Sequence, residues 1–543
     1  MPSPNLTHLP PAVQAYLHDL ESRLAQRDVQ VSRYEKNIAE LTLRIDQLEE
    51  QFRLAQLKRY APSSEKLGIQ GCLFNEAEMT GMDNDDGRDD EEETAEDSQQ
   101  QNNATDVPGK KRGRKKLPAH LKRVRIEHDL PDADKQCACC QGALHRMGEE
   151  ISEQLHIVPA QVSVVQHVRF KYACRHCEQH GTSSTIVTGS MPAQPLPGSI
   201  ASAATIATIM TAKYADGLPL YRLESILERS DIQLGRGTLG RWLIRSSENW
   251  LSRITQALHQ VLLRQTMIHG DETSLQVLKE NGKTAQSTSY MWVYRSAQHS
   301  DEPVVLFDYQ PGRGHEHPQR FLHGYQGSLM TDGYAAWRMQ KDVTHLGCLA
   351  HVRRKFDEAL KAQKNPTGRA KHVLDALAQL YRIEKQALEK PPSGTTITAH
   401  TYMLRQTKSR PILDALQEWL IKNKDEVLPQ SLIGKAINYA LGQWKYITRY
   451  IEDGAAPIDN NIVERDIRPF VTGRKNWLFS DTVAGAKASA TIYSLMLTCR
   501  ACDVEPYNYL LHLFTEIPRR TPDADVTDLL PFNFKKITVA TTT

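Results

Sequence analysis

The chain has 543 residues and a mass of 61.4 kDa, enough for three to four domains at about 100–200 residues each. Lys and Arg number 67 against 65 Asp and Glu, so a net charge of +2 does not by itself argue for nucleic acid. Nine cysteines are too sparse for a disulfide scaffold, and no apolar run reaches 18 residues, which argues against a membrane span. The first residues, MPSPNLTHLPPAVQ, have neither a basic nor an apolar signal region. The expectation is a soluble, cytoplasmic protein.

In chain order, the first predicted element is a coiled coil over 13–60. Leu17, Leu24, Val31, Ile38, Ile45 and Phe52 recur at seven-residue steps, with Leu20, Arg27, Tyr34, Leu41, Leu48 and Ala55 three after each. Only Arg27 breaks the apolar seam. β-Branched residues at a with Leu at d favour a homodimer, and the alternative is an amphipathic helix packed on its own domain. Residues 76–108 are acidic and nearly free of apolar side chains, so they read as a disordered linker. The basic segment 109–128 follows, with nine Lys and Arg between Lys110 and Arg125, suited to a phosphate backbone or to a solvated spacer.

Residues 129–180 carry two C-x-x-C pairs, Cys137 with Cys140 and Cys174 with Cys177, separated by 33 residues with strand-like alternation. Two such turns close a four-thiolate tetrahedral site, so one structural Zn²⁺ in a zinc ribbon is expected. Cys139 and His176 are spare donors nearby. Residues 195–250 read as helices with a Gly-containing turn, a helix-turn-helix-like region whose second helix bears Arg236, Thr238 and Arg241. A plain helical hairpin is the competing reading.

From 262 to 482 the pattern is strand, strand, strand, helix, strand, helix, strand, helix, the order of a ribonuclease-H-like core, with a helical insertion at 366–450. A helical region, 483–535, closes the chain. The fold class is therefore multidomain α/β. Asp271 lies in the first core strand and Asp332 ends the fourth, and in this topology the two strands are neighbours. Candidates for a third acid are Glu452, Asp453, Asp459, Glu464 and Asp466, and a helix is expected after Pro457 with Asp459 as its N-cap. At 100° per residue Ile462, Val463 and Ile467 form the buried face and Asp466 falls among them. Asn460, Asn461, Glu464 and Arg468 share the opposite face, which selects Glu464. Cys499 and Cys502 lie on an apolar helix and read as core residues.

Several motifs together resemble the IS66 family of bacterial insertion-sequence transposases. They are GDET around Asp271, TDGYAAW around Asp332, CLAHVRRKF at 348–356, DNNIVERDIRPFVTGRKNWLF at 459–479, RYAPSSEKL at 59–67 and LLPFN at 529–533. Two departures stand out: Gly270 where Ala is common and Trp337 where Tyr is common, neither expected to touch a carboxylate. The resemblance implies DDE-type transposition on double-stranded DNA, at transposon ends and target. Asp271, Asp332 and Glu464 would be catalytic and would hold two Mg²⁺, or Mn²⁺, that stabilise attacking and leaving oxygens. Around them Arg353, Arg354, Lys355, Arg468, Arg474 and Lys475 are candidate phosphate contacts. Trp477 is either a base-stacking or a core residue. Small accessory proteins of the same element are possible partners. The rival readings are a nuclease or resolvase that cuts without joining, and a DNA-binding regulator.

Overall fold

The computed structural model describes residues 10–60, 162–173, 186–362, 368–389 and 391–534. The chain divides into two units, Arg88–Met191 and the remainder. In the first, the described part is an extended segment and a small antiparallel pair, β1 (Lys171–Ala173) and β2 (Ile186–Thr188). Arg169 Nε donates to the carbonyl of Gly189 at 2.6 Å. The thiols Cys137, Cys140, Cys174 and Cys177, the acidic linker and the basic segment lie outside the described residues.

The second unit begins with α1, one helix of 50 residues, Pro11–Tyr60. Proline at its first position already has a helical φ, and no glycine or proline interrupts it afterwards. Its heptad residues Leu24, Val31, Ile38, Leu41, Ile45, Leu48 and Phe52 are 50–64% exposed. The described residues therefore do not cover this seam, against the alternative of packing on its own domain. Among the described residues, its last turns are anchored. Arg53 Nε donates to the Ala362 carbonyl at 3.0 Å, and Glu50 accepts the Leu432 N–H at 3.1 Å.

The helices α2 (Ala203–Tyr214), α3 (Leu220–Glu228), α4 (Arg236–Ser246) and α5 (Ser252–Leu263) follow. Their apolar faces do not form a separate core. Ile206, Met210, Tyr214, Trp242, Leu243 and Leu258 are buried in one cluster with the sheet and the C-terminal helices. Arg236 and Arg241 are exposed on α4, and Arg241 donates to Thr238 Oγ1 at 3.0 Å.

The sheet is built from β3 (Met267–Lys279), β4 (Thr288–Ser296), β5 (Val305–Gln310), β6 (Ser328–Thr331) and β7 (Thr344–Gly347), in the order β5-β4-β3-β6-β7. The first three are antiparallel, and β6 and β7 run parallel to β3. Short helices α6 (Glu316–Phe321) and α7 (Ala335–Arg338) follow β5 and β6. After β7 comes α8 (Leu349–Ala362). The helices α9 (Arg369–Leu388), α10 (Ile397–Leu404), α11 (Arg410–Lys424) and α12 (Leu432–Ile447) follow, and α9, α11 and α12 form a second apolar cluster with α8.

The chain returns to the sheet in α13 (Asn461–Trp477) and adds β8 (Ser480–Thr482) beside the end of β3. It ends with α14 (Val483–Ala501) and α15 (Pro506–Glu516). The α14 helix reads as apolar almost all round, and it is buried against β5, where Ser494 Oγ and Thr498 Oγ1 accept the N–H groups of Phe307 and Val305. Cys499 and Cys502 are core residues of this layer, 1% and 5% exposed. No helix of the described residues is long and apolar enough to cross a membrane.

Candidate active site

Asp271 sits in the middle of β3, where side chains alternate between faces. On its own face lie His269 and Thr273, toward α13. On the other lie Gly270 and Glu272, toward Trp337. The β3–β6 register pairs His269 with Met330, so two residues further on Asp332 comes level with Asp271 as the chain leaves β6. Asp332 Oδ1 accepts the Tyr334 N–H at 2.8 Å, which holds the carboxylate at the strand end. Asp271 Oδ1 accepts the Glu272 N–H at 2.8 Å.

Glu464 enters from the first turn of α13, its side chain only 6% exposed. The three acids lie close enough to feel one another. Burial, then the charges of Glu272, Glu464 and Asp332, push Asp271 well above the ordinary carboxylate range. Burial also raises Glu464, opposed by Arg354, whose Nη2 is 3.4 Å from Oε2. Carboxylates brought together in this way are the kind of oxygen donors that hard divalent ions take.

What positions Glu464 is Asn460. It is fully buried and is the N-cap residue of α13, one position later than the expected Asp459. Its Nδ2 donates to the Gly270 carbonyl at 3.0 Å and its Oδ1 accepts from His269 Nδ1 at 2.8 Å. Its own N–H donates to Cys348 Sγ at 3.2 Å. So Asn460 does not share the Glu464 face. It clamps the start of α13 to the strand carrying Asp271. Asp459 instead caps locally, accepting from Asn461 N–H at 3.1 Å and from the Tyr381 hydroxyl at 2.9 Å. Asp466 points inward, 5% exposed, and pairs with Arg295 of β4.

His351, two residues into α8, lies beside Glu464. One donor atom each from Cys348, His351 and Glu464 lies within 4.8 Å of the others. Burial and the Arg354 charge lower the His351 imidazole to about 4. His351 is not legible as a site residue by spacing alone, although it falls in a motif noted above, whereas register brings Asn460 to the site but on the wrong face.

The basic residues divide. Lys355 is exposed, its ammonium 4.6 Å from the Tyr439 ring centroid. Arg353 and Arg468 are half-buried and Lys475 is exposed. Arg354 is engaged by Glu464. Arg474 is tied to β3, donating to Thr273 Oγ1 at 3.3 Å and to the Ser274 carbonyl. Trp477 packs edge-on against Phe470 at 5.7 Å, within the core reading, while Leu478 and Phe479 beside it are 66% and 42% exposed. A recess of about 640 Å³ lined by Thr255, Asp308, Arg320 and Lys487 includes none of the three acids.

The two departures at 270 and 337 are coupled. A Cβ on Gly270 would stand 2.7 Å from the Trp337 ring. The indole Nε1 donates to Glu272 Oε2 at 2.7 Å, and Arg313 grips Oε1. Trp337 therefore does touch a carboxylate, contrary to expectation, although not one of the three acids. Gly270→Ala is expected to cost about 1–3 kcal/mol by overpacking. Trp337→Tyr in the same chain should recover part of that loss in a denaturant-unfolding double-mutant cycle. Additive costs would mean the two positions are independent.

The Transposase IS66 family matches residues 198–488, more than half of the chain. The zinc-finger binding domain of transposase IS66 matches 134–178, the IS66 C-terminal element 494–532, and "Transposase C of IS166 homeodomain" 47–126. The chain belongs to the IS66 transposase family. Among its relatives are three uncharacterized proteins of Sinorhizobium fredii (strain NBRC 101917 / NGR234). Protein y4jD is 32% identical over 77% of this chain and 81% of its own length. Protein y4qI is 31% identical over 78% of each, and y4hP 28% over 79% and 78%. Family membership makes this a transposase-type nucleic-acid enzyme that binds DNA, with a zinc-finger region that points to structural zinc.

Proposed function

We propose that this chain binds the ends of its insertion sequence and performs metal-dependent strand cleavage and strand transfer on a ribonuclease-H-like core. What supports this is the placement of Asp271 on a central strand, Asp332 level with it at the end of the parallel neighbour and Glu464 in the first turn of a returning helix, with their charges acting on one another. The strand order β5-β4-β3-β6-β7, three antiparallel and two parallel, supports the core assignment. The donor set fits divalent ions: three carboxylates whose charges repel, with one buried imidazole nitrogen beside Glu464. Asp271, Asp332 and Glu464 would hold two Mg²⁺ or Mn²⁺ ions. Such ions, when bound, polarise phosphate oxygens and make water or a 3′-hydroxyl a better nucleophile.

The chain's own contribution is placement. Asn460 sets Glu464 against Asp271, the Tyr334 N–H fixes Asp332, and Arg354 partly balances Glu464. The exposed Lys355 and Lys475 and the arginines Arg353 and Arg468 supply phosphate contacts, with Arg236 and Arg241 on α4. In the same reading Cys137, Cys140, Cys174 and Cys177 hold one zinc, and two copies of α1 pair through the exposed seam to hold two DNA ends. Arg27→Leu should tighten that dimer in sedimentation equilibrium, and an unchanged monomer–dimer balance would count against the seam.

The deciding experiment is a strand-transfer assay with a labelled transposon end, Mg²⁺ and target plasmid. Joined product is expected. Cleaved but unjoined ends would favour a nuclease or resolvase, and binding without cleavage a regulator.

A further inference from the structure

We propose that His351 is a fourth member of the acidic site, its Nδ1 supplying a nitrogen ligand beside the Glu464 carboxylate, so that this position takes Mn²⁺ in preference to Mg²⁺. This deepens the proposed function and rests on the reading of Asp271, Asp332 and Glu464 as metal-holding acids. His351 Nδ1 is buried and has no hydrogen-bond partner among the described residues. It stands 3.9 Å from Glu464 Oε1. That is too long for a hydrogen bond. It is within the roughly 4 Å that two ligands, each about 2.0–2.2 Å from one ion, can span.

A buried ring nitrogen left without a partner is costly, and an ion shared with Glu464 would satisfy it. The position is also held rather than chance. His351 lies in the opening turn of α8, directly after β7, and Cys348 just before that helix anchors Asn460. Cys348 is part of the same cluster, but thiolate suits softer ions than Mn²⁺ or Mg²⁺, and its sulfur instead accepts the Asn460 N–H. Mg²⁺ takes oxygen ligands almost exclusively, whereas Mn²⁺ takes the same carboxylate oxygens but, as a first-row transition ion, also accepts an imidazole nitrogen. One nitrogen among carboxylate oxygens therefore shifts the preference toward Mn²⁺.

The test uses the zinc-loaded, full-length protein as wild type, His351→Asn and Glu464→Gln, with circular dichroism to confirm folding. Mn²⁺ binding is followed by electron paramagnetic resonance, with pulsed measurement of ¹⁴N coupling and Mg²⁺ affinity by competition. Wild type should show Mn²⁺ that is lost with Glu464→Gln and carries a directly bound nitrogen. His351→Asn should abolish that coupling and weaken Mn²⁺ at least about tenfold, the lower end of the loss when even an outer partner of a ligand is removed. Mg²⁺ should change by less than about threefold. Glu464-dependent Mn²⁺ without nitrogen coupling, or coupling that survives His351→Asn, overturns the assignment while leaving the acidic site standing. Mn²⁺ binding indifferent to Glu464→Gln would overturn the acidic-site reading, and this one with it. If His351→Asn fails to fold, His351→Gln carries the same comparison.

Discussion

Asp466→Asn should destabilise the folded protein by about 3–5 kcal/mol, the usual cost of breaking a buried ion pair from one side. Asp466 and Arg295 are 7% and 12% exposed at their side chains, and the pair joins α13 to β4 across the interior. Burial pushes Asp466 upward, and Arg295 is the main charge opposing it, ahead of Arg500 and Arg465. An amide keeps the shape and removes the charge. Arg295 would then be left buried, with its Nε already lacking a hydrogen-bond partner among the described residues. Urea unfolding followed by circular dichroism measures the loss. A cost below about 1 kcal/mol would mean that water reaches Arg295 and the pair behaves as a surface bridge.

The second large effect is expected from Asn460→Ala. The truncation removes two side-chain hydrogen bonds at once, leaving the Gly270 carbonyl and His269 Nδ1 unsatisfied in the interior. Each orphaned group costs about 1–3 kcal/mol, so the total is on the order of 2–6 kcal/mol. His269 is 1% exposed, so water cannot easily replace the amide. The same change frees the start of α13, so cleavage should fall even at temperatures where the variant is folded. Asn460→Asp separates the roles. It keeps an acceptor for His269 and loses the donor to Gly270, so its stability should lie between wild type and the alanine variant. Equal stability of all three proteins would contradict the clamp.

Part of this site was open to reading before any coordinates. Asp271 and Asp332 stand at strand positions that alternation and run length make visible, and parallel neighbours bring strand ends level. Glu464 followed from helical register, because Ile462, Val463 and Ile467 mark the buried face and leave Glu464 off it. The inward position of Asp466 came from the same arc.

What register could not supply is anything decided across the chain. Whether Asp459 or Asn460 caps α13 depends on Cys348, about 110 residues away, accepting one N–H. The tie of Arg474 to β3 and the packing of Trp477 on Phe470 are likewise tertiary; on sequence alone Arg474 reads as a phosphate contact and Trp477 as either base-stacking or core. Gly270 and Trp337 appeared as two separate departures. Only the geometry reveals that one makes room for the other. The helices of 203–263 have the period of a self-contained hairpin, but which core they join is a property of the sheet they cover.

The most direct measurement is Mg²⁺-dependent cleavage of a labelled transposon end by Glu464→Gln, with Asp466→Asn beside it and DNA binding measured for both. The account predicts that Glu464→Gln binds DNA, folds as stably as wild type and does not cleave. Asp466→Asn should be less stable yet retain cleavage at temperatures where it is folded. Near wild-type cleavage by Glu464→Gln, with cleavage lost in folded Asp466→Asn, would contradict it and make Asp466 the third acid.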